Sequence, residues 1–134
     1  MKAKICILML FTMTCPIFES VPSGAYRYTS FDSTGVAVVK GWFTIDCQDS
    51  TNIAGEWHFR RISLFEKRIG PQVGDDSLIG SIHHDSLGIM LNPHIRDDNV
   101  WLVGTLTGDT IRGEWFWGSL PGITGNGTFE AVKK

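Results

Sequence analysis

The sequence predicts a small all-β domain, an antiparallel up-and-down meander of about eight strands closed as a small barrel. Three observations favour this fold class. Turn-forming residues recur about every 8–12 residues, as in β-sandwiches and barrels. Glycine is abundant, with 15 residues in a chain of 134. No window of the chain after the first 23 residues repeats apolar residues at helical spacing over three turns.

Residues 1–23 are expected to be a signal peptide. Lys2 and Lys4 precede a short apolar run at residues 5–13, and small residues follow. The run is too short to cross a bilayer, which requires about 20 apolar residues. We therefore expect residues 24–134 to form a single β-barrel domain that is secreted or periplasmic.

The processing of this segment is left open by the sequence. Cleavage after Ser23 or after Ala25 would satisfy the small-residue rule. Lipidation at Cys15 is an alternative, and it would anchor the domain to a membrane surface as a lipoprotein. Neither route gives the mature chain a spanning segment.

Charge and cysteine content exclude several classes of protein. The formal net charge is −2 and the chain shows no basic stripe, so a nucleic-acid partner is not expected. Of the three cysteines, only Cys47 lies outside the signal segment. An intrachain disulfide is therefore impossible in the mature domain, and we interpret Cys47 as a buried structural thiol.

Each predicted strand ends at turn residues. The eight strands are expected at residues 24–31, 36–46, 53–64, 77–83, 87–91, 99–107, 110–117 and 128–132. The connections between them are Asp32–Gly35, Gln48–Asn52, Phe65–Asp75, His84–Ser86, Asn92–Asp98, Gly108–Asp109 and Gly118–Gly127. Pro71, Pro93 and Pro121 fall within connections, where a missing N–H breaks no ladder. The long connection at 65–75 is a candidate lid or partner surface.

A hairpin pattern repeats along the chain. Ile-x-Gly-Glu-Trp occurs at residues 53–57 and again at 111–115, each time on a returning strand. Alternation places Ile, Gly and Trp on one face and Glu on the other. We expect a glycine of each outgoing strand to face a glycine of the returning strand, which would let the sheet curve and close.

This meander with Gly-x-Trp elements resembles the calycin group, the lipocalins and avidins. Gly24-Ala25-Tyr26 stands where lipocalins carry Gly-x-Trp on their first strand. The chain ends soon after the eighth strand, as in avidins, and lacks the C-terminal helix of lipocalins. The resemblance implies a closed eight-stranded barrel that binds a small ligand, and it transfers no individual ligand residue to this chain.

An aromatic inner face is the main candidate site. The predicted ligand-binding residues are Trp57, Trp115, Trp117, Tyr26, Tyr28, Phe43 and Phe59. The tryptophans would form the wall of a pocket for a small apolar or planar molecule, with the tyrosines near its mouth. The alternative is that these rings are simply the core. Neither interpretation requires a cofactor or a metal.

The second hypothesis is an interaction module of the cell envelope with a filled barrel. Trp42 and Trp101 alternate with apolar neighbours and should point outward, which favours a homo-oligomer or an envelope protein partner. An enzyme is not expected, because no nucleophile, phosphate-loop or dinucleotide motif occurs. Glu56 and Glu114 should lie outside the barrel as solvated charges, and His83-His84-Asp85 reads as a polar turn.

Overall fold

The chain forms a closed antiparallel β-barrel. A computed structural model describes residues 22–63, 68–95, 97–119 and 122–134. The strands are β1 (Gly24–Asp32), β2 (Ala37–Cys47), β3 (Asn52–Arg61), β4 (Gly74–His83), β5 (Ser86–Met90), β6 (Asp98–Thr107), β7 (Thr110–Ser119) and β8 (Gly122–Lys133). The predicted eight-stranded meander is therefore confirmed.

Closure results from β1, which pairs with β2 on one side and with β8 on the other. A closed barrel has no unpaired edge on which another chain could add a strand. The connections β1–β2, β3–β4, β5–β6 and β7–β8 all lie at one end, which we call the loop end. The three tight connections of the opposite end include a β2–β3 turn in which Asp49 accepts hydrogen bonds from Thr51 and Asn52.

The interior follows the predicted alternation. Ile53, Trp57 and Phe59 of β3 are at most 4% exposed, whereas Glu56 and Arg60, of opposite parity on the strand to Trp57 and Phe59, are exposed. The same alternation holds on β7, where Ile111 and Trp115 are buried and Arg112 and Glu114 face solvent. One face of every returning strand thus belongs to the core.

Glycines on the inner face allow the strands to approach closely. A Cβ at Gly113 would collide with the carbonyl oxygen of Val103, and one at Gly55 would collide with that of Thr44. The expectation that glycines face each other holds for Gly104 and Gly113 only. In the β2–β3 hairpin Gly41 pairs with Phe59 instead, because Gly55 lies further along the register.

The predicted start of β8 is wrong. The strand begins at Gly122 and not at residue 128, so much of the glycine-rich segment is strand. Gly127 pairs with Trp115, and a Cβ there would lie 2.6 Å from the indole nitrogen. The glycines of this segment thus make room for tryptophan rings of β7.

Candidate functional site

Five of the seven predicted aromatic residues form one cluster of contacting rings inside the barrel. The ring centroid of Tyr28 lies 4.1 Å from that of Phe59 in a parallel arrangement, and Phe59 lies 4.9 Å from Trp57. Tyr26 stacks on Phe43 at 5.4 Å. These separations are those of rings in direct contact, so the structure brings the five side chains into one cluster.

The polar atoms of these aromatic side chains bond to the protein itself. The Tyr26 hydroxyl donates to the carbonyl oxygen of Pro22 at 2.7 Å. The Trp57 indole N–H donates to the carbonyl oxygen of Leu91, and the Trp115 N–H donates to that of Phe31 at 2.8 Å. Burial raises the pKa of the Tyr26 phenol to about 12 and raises that of Tyr28 as well. A ligand among these rings would have to displace side chains that are already packed and bonded.

Gln72 closes the loop end of the barrel. Its side chain is fully buried, and Oε1 accepts hydrogen bonds from the hydroxyls of Tyr28 and Ser30, each at 3.1 Å. Its Nε2 donates to the carbonyl oxygen of Ile69 at 2.7 Å. The β3–β4 connection is therefore folded into the barrel mouth and bonded to the interior.

A cleft of about 480 Å³, which we call the loop-end cleft, lies outside this closure. Its lining residues are Arg61, Arg68, Ile69, Gly70, Pro71, Asp98 and Trp117. Trp117 is half-buried, and its indole N–H donates to Oδ1 of Asp98. A Cβ at Gly70 would collide with the Trp117 ring, so the missing side chain lets the loop backbone lie against the indole.

Trp117 is the one predicted tryptophan of the ligand set that remains partly accessible. Trp57 and Trp115 are 2% and 1% exposed. Of the two arginines of the cleft, Arg68 belongs to the connection that the sequence indicates as a candidate lid or partner surface, whereas Arg61 carries no signal in the sequence. The Gly70-Pro71 pair did mark the connection, whose role as a lid or partner surface stays a prediction.

The two tryptophans predicted to point outward lie on different sides of the barrel. Trp42 is on β2 and Trp101 is on β6, four strands away around a closed barrel of eight. Trp101 is 37% exposed, and Trp42 is half-buried against His58, with ring centroids 4.1 Å apart. One interface cannot include both.

The remaining candidates are dispersed. Cys47 is half-buried and Glu56 and Glu114 lie on the outer faces of β3 and β7. His83 and His84 contact each other at the β4–β5 turn. Among the described residues, no group of three or more His, Cys, Asp or Glu side chains is placed to hold a metal ion.

Comparisons with known proteins add no assignment. The chain matches no model of a known protein family and no curated protein. Within the described ranges, no helix is long and apolar enough to cross a membrane. The predicted signal peptide, including Cys6 and Cys15, lies outside the described residues except for Pro22 and Ser23.

Proposed function

We propose that this protein binds a small planar molecule with an anionic group, and that it does so in the loop-end cleft. The observation that carries the proposal is the position of Trp117, which is half-buried in a cleft of about 480 Å³ beside two arginines. This volume is within the range of about 300–1,000 Å³ that is usual for small-molecule sites.

The chemistry of the lining favours this ligand class. Pro71 and Trp117, which are both half-buried at the cleft, offer apolar surface to a planar ring system. Arg68 is exposed at the same cleft, and a guanidinium can bind a carboxylate or sulfonate through two parallel N–H donors. A ligand that combines both features would use both parts of the wall.

The cleft suits a ligand better than the lumen because the lumen contains a packed core. The interior rings are in contact with each other, and every buried side-chain polar atom among the described residues has a hydrogen-bond partner. Opening the lumen would break these contacts. Binding in the cleft would leave them in place.

A matched pair of fluorescent probes tests the proposal. The planar anion 8-anilinonaphthalene-1-sulfonate should bind with quenching of tryptophan emission, and its uncharged analogue N-phenyl-1-naphthylamine should bind more weakly. Arg68→Gln should weaken binding of the anion by about three- to tenfold, since one charge-assisted hydrogen bond is lost. Trp117→Phe should remove most of the quenching.

Trp101→Phe is the matched control, because Trp101 is partly exposed on β6 and is not among the residues that line the cleft. It should leave the affinity for the anion unchanged. Equal affinity for the two probes, or unchanged affinity in Arg68→Gln, would contradict the proposal.

A row of apolar side chains on the outer wall favours a second candidate function, a protein–protein contact. Ile79, Met90, Trp101 and Phe116 occupy paired positions on four adjacent strands, from β4 to β7. Ile79 is 49% exposed and Trp101 37%. Contiguous exposed apolar surface of this kind is typical of interfaces.

Sedimentation velocity at several protein concentrations tests this candidate with Trp101→Lys. The substitution should abolish self-association if the row binds a second copy. Ile123→Lys is the control, because Ile123 is 68% exposed on β8 and lies off the row. A wild-type protein that stays monomeric at every concentration excludes self-association through the row.

A further inference from the structure

A groove of about 350 Å³ on the outer wall of β1, β2 and β3 is bordered by cations. It is lined by Arg27, Tyr28, Thr29, Lys40, Gly41, Trp42, Arg60 and Lys134. We call it the basic groove. A Cβ at Gly41 would collide with the carbonyl oxygen of His58 and with Phe59, so the glycine lets β2 and β3 approach closely beneath the groove.

Strand register brings these cations together. Arg27 is paired with Trp42, and Thr29 is paired with Lys40. Lys40 is paired in turn with Arg60 on β3. Arg27, Lys40 and Arg60 are 13 to 33 positions apart in the chain, which is why no basic stripe is visible in the sequence.

The pairing of Lys40 with Arg60 is unfavourable in the free protein. Like charges directly opposite each other on neighbouring strands destabilise a sheet. Among the residues that the structure describes, Arg27, Lys40 and Arg60 form no ion pair. This concentration of positive charge occurs in a chain whose formal net charge is −2.

Two carboxylates on the strands beside the groove are bonded to other residues. Glu130, opposite Thr29 on β8, accepts a hydrogen bond from Nε of Arg112 at 2.9 Å. Asp75 is bonded to Nδ1 of His58 at 2.9 Å. Neither carboxylate therefore neutralises the centre of the groove.

Trp42 forms one wall of the groove and has two close neighbours. The His58 ring packs against the indole with ring centroids 4.1 Å apart, and Nζ of Lys134 lies 5.4 Å from the centroid of the indole ring. The indole positions a cation at the rim of the groove through a cation–π contact. Because the Trp42 ring already has these neighbours, we expect a ligand to bind to the guanidinium and ammonium groups of the groove and not to stack on the indole.

We propose that the basic groove binds a small molecule that carries two or more phosphate or sulfate groups. Guanidinium groups bind such oxyanions through paired N–H donors, and an ammonium group adds a compact charge. The Thr29 hydroxyl supplies a further donor at the floor. A bound oxyanion would relieve the repulsion between Lys40 and Arg60, so binding and stability are coupled.

The size of the groove favours a small ligand over a polymer or a membrane. Its cations extend over three adjacent strands, which span about 10 Å at the usual strand spacing. That distance matches a di- or triphosphate. A nucleic acid would require cations repeated along a longer path, and a flat lipid surface would contact only the rim of a concave site.

Titration calorimetry of the protein with inorganic tripolyphosphate at low ionic strength tests the proposal. We expect saturable binding with one site per chain that weakens steeply as salt is added. The double variant Lys40→Gln/Arg60→Gln should lose at least about tenfold in affinity, because two charge-assisted contacts are removed. Its melting temperature should equal or exceed that of the wild type, which separates loss of the site from loss of the fold.

A further variant identifies where the ligand binds. Arg68→Gln also removes a positive charge, and it should keep the affinity within about twofold, because Arg68 belongs to the loop-end cleft and not to the basic groove. The experiments can therefore contradict binding in the basic groove without contradicting binding in the loop-end cleft, and the reverse.

The proposal is overturned if the double variant binds tripolyphosphate as tightly as the wild type does. It is also overturned if Arg68→Gln weakens binding equally, since attraction by the overall charge would then explain the result. Binding to vesicles of phosphatidylglycerol without binding to tripolyphosphate would assign the groove to a membrane surface instead.

Discussion

The hydroxyl of Tyr28 donates a hydrogen bond to the side-chain oxygen of Gln72 across 44 positions of the chain. This bond joins the first strand to the connection that closes the loop end. Both residues are at most 1% exposed, so the bond lies in a region without access to bulk water. The closure of the barrel mouth is thus part of the core and not a separate surface feature.

Removal of the Gln72 side chain should destabilise the protein. Gln72→Ala leaves the buried hydroxyls of Tyr28 and Ser30 without their common acceptor. An unsatisfied buried polar group costs about 1–3 kcal/mol, so we expect a decrease of that size in the free energy of unfolding. Urea denaturation followed by tryptophan fluorescence measures it.

Gln48→Ala is the control for this substitution. Gln48 is exposed at the β2–β3 turn, where only its backbone N–H forms a hydrogen bond, to Asn52. Its replacement should change the stability by less than about 0.5 kcal/mol. If the two substitutions change the free energy of unfolding equally, the hydrogen bonds of the Gln72 side chain do not stabilise the fold.

The buried tyrosines predict a loss of stability at alkaline pH. Burial raises the pKa of Tyr26 to about 12 and raises that of Tyr28 also, while tyrosine in an unfolded chain keeps its ordinary pKa of 10.0. Above that value the unfolded state releases protons that the folded state retains. Stability is therefore undiminished below pH 10 and falls as the pH rises from 10 towards the pKa values of the folded state.

Each tyrosine should contribute a slope of up to about 1.4 kcal/mol per pH unit in that interval. Tyr26→Phe and Tyr28→Phe should each flatten the profile above pH 10, as measured by denaturation at a series of pH values. Profiles that coincide with that of the wild type would mean that other groups cause the alkaline loss.

The substitution Asn99→Asp should destabilise the protein. Its Oδ1 accepts from the backbone N–H of Asn92 at 2.9 Å, and its Nδ2 donates to the carbonyl oxygen of the same residue at 2.6 Å. In Asn99→Asp, a buried carboxylate oxygen would face that carbonyl oxygen. We expect a loss of at least about 3 kcal/mol at pH 7 in thermal or urea denaturation.

This loss should shrink at acid pH. Burial and the opposed carbonyl raise the pKa of the introduced carboxyl group above its unfolded value of about 3.9. The protonated group can donate to Asn92, so stability is present below pH 4 and is lost as the pH rises. Asn126→Asp, at an exposed position of β8, should show no such recovery at low pH.

The sequence predicts the barrel well because the alternation of apolar and polar residues can be read along each strand by itself. Ile53 and Trp57 on β3, and Ile111 and Trp115 on β7, identify the inner face from spacing alone, and the structure buries all four. The glycine-rich start of β8 was misread because Gly122–Gly127 resembles a loop in isolation. Its role depends on tryptophans of the neighbouring strand, which local sequence does not reveal.

The candidate sites are less predictable because they depend on long-range register. Arg27, Lys40 and Arg60 become neighbours only when three strands align. The Gln72 closure similarly requires a loop residue to meet β1 in the interior. Of the predicted ligand set, Trp117 reaches a cleft because β7 extends to Ser119 at the loop end.

Two glycines on adjacent parts of the wall provide a direct test of why the barrel curves. Gly113 lies so close to Val103 that a Cβ would collide with its carbonyl oxygen, while nothing lies within 4 Å of a Cβ built at Gly88. Gly113→Ala must therefore push β6 and β7 apart, since the colliding atom is backbone. We expect it to reduce the free energy of unfolding by about 1–3 kcal/mol, as overpacked sites do.

Gly88→Ala should be neutral or slightly stabilising, because alanine restricts the unfolded chain more than glycine and finds open space in the folded one. Urea denaturation of both variants gives the comparison. Equal destabilisation would show that loss of glycine flexibility matters and that close strand approach does not. A neutral Gly113→Ala would instead mean that β6 and β7 separate at little cost, and that the curvature of the barrel does not depend on that contact.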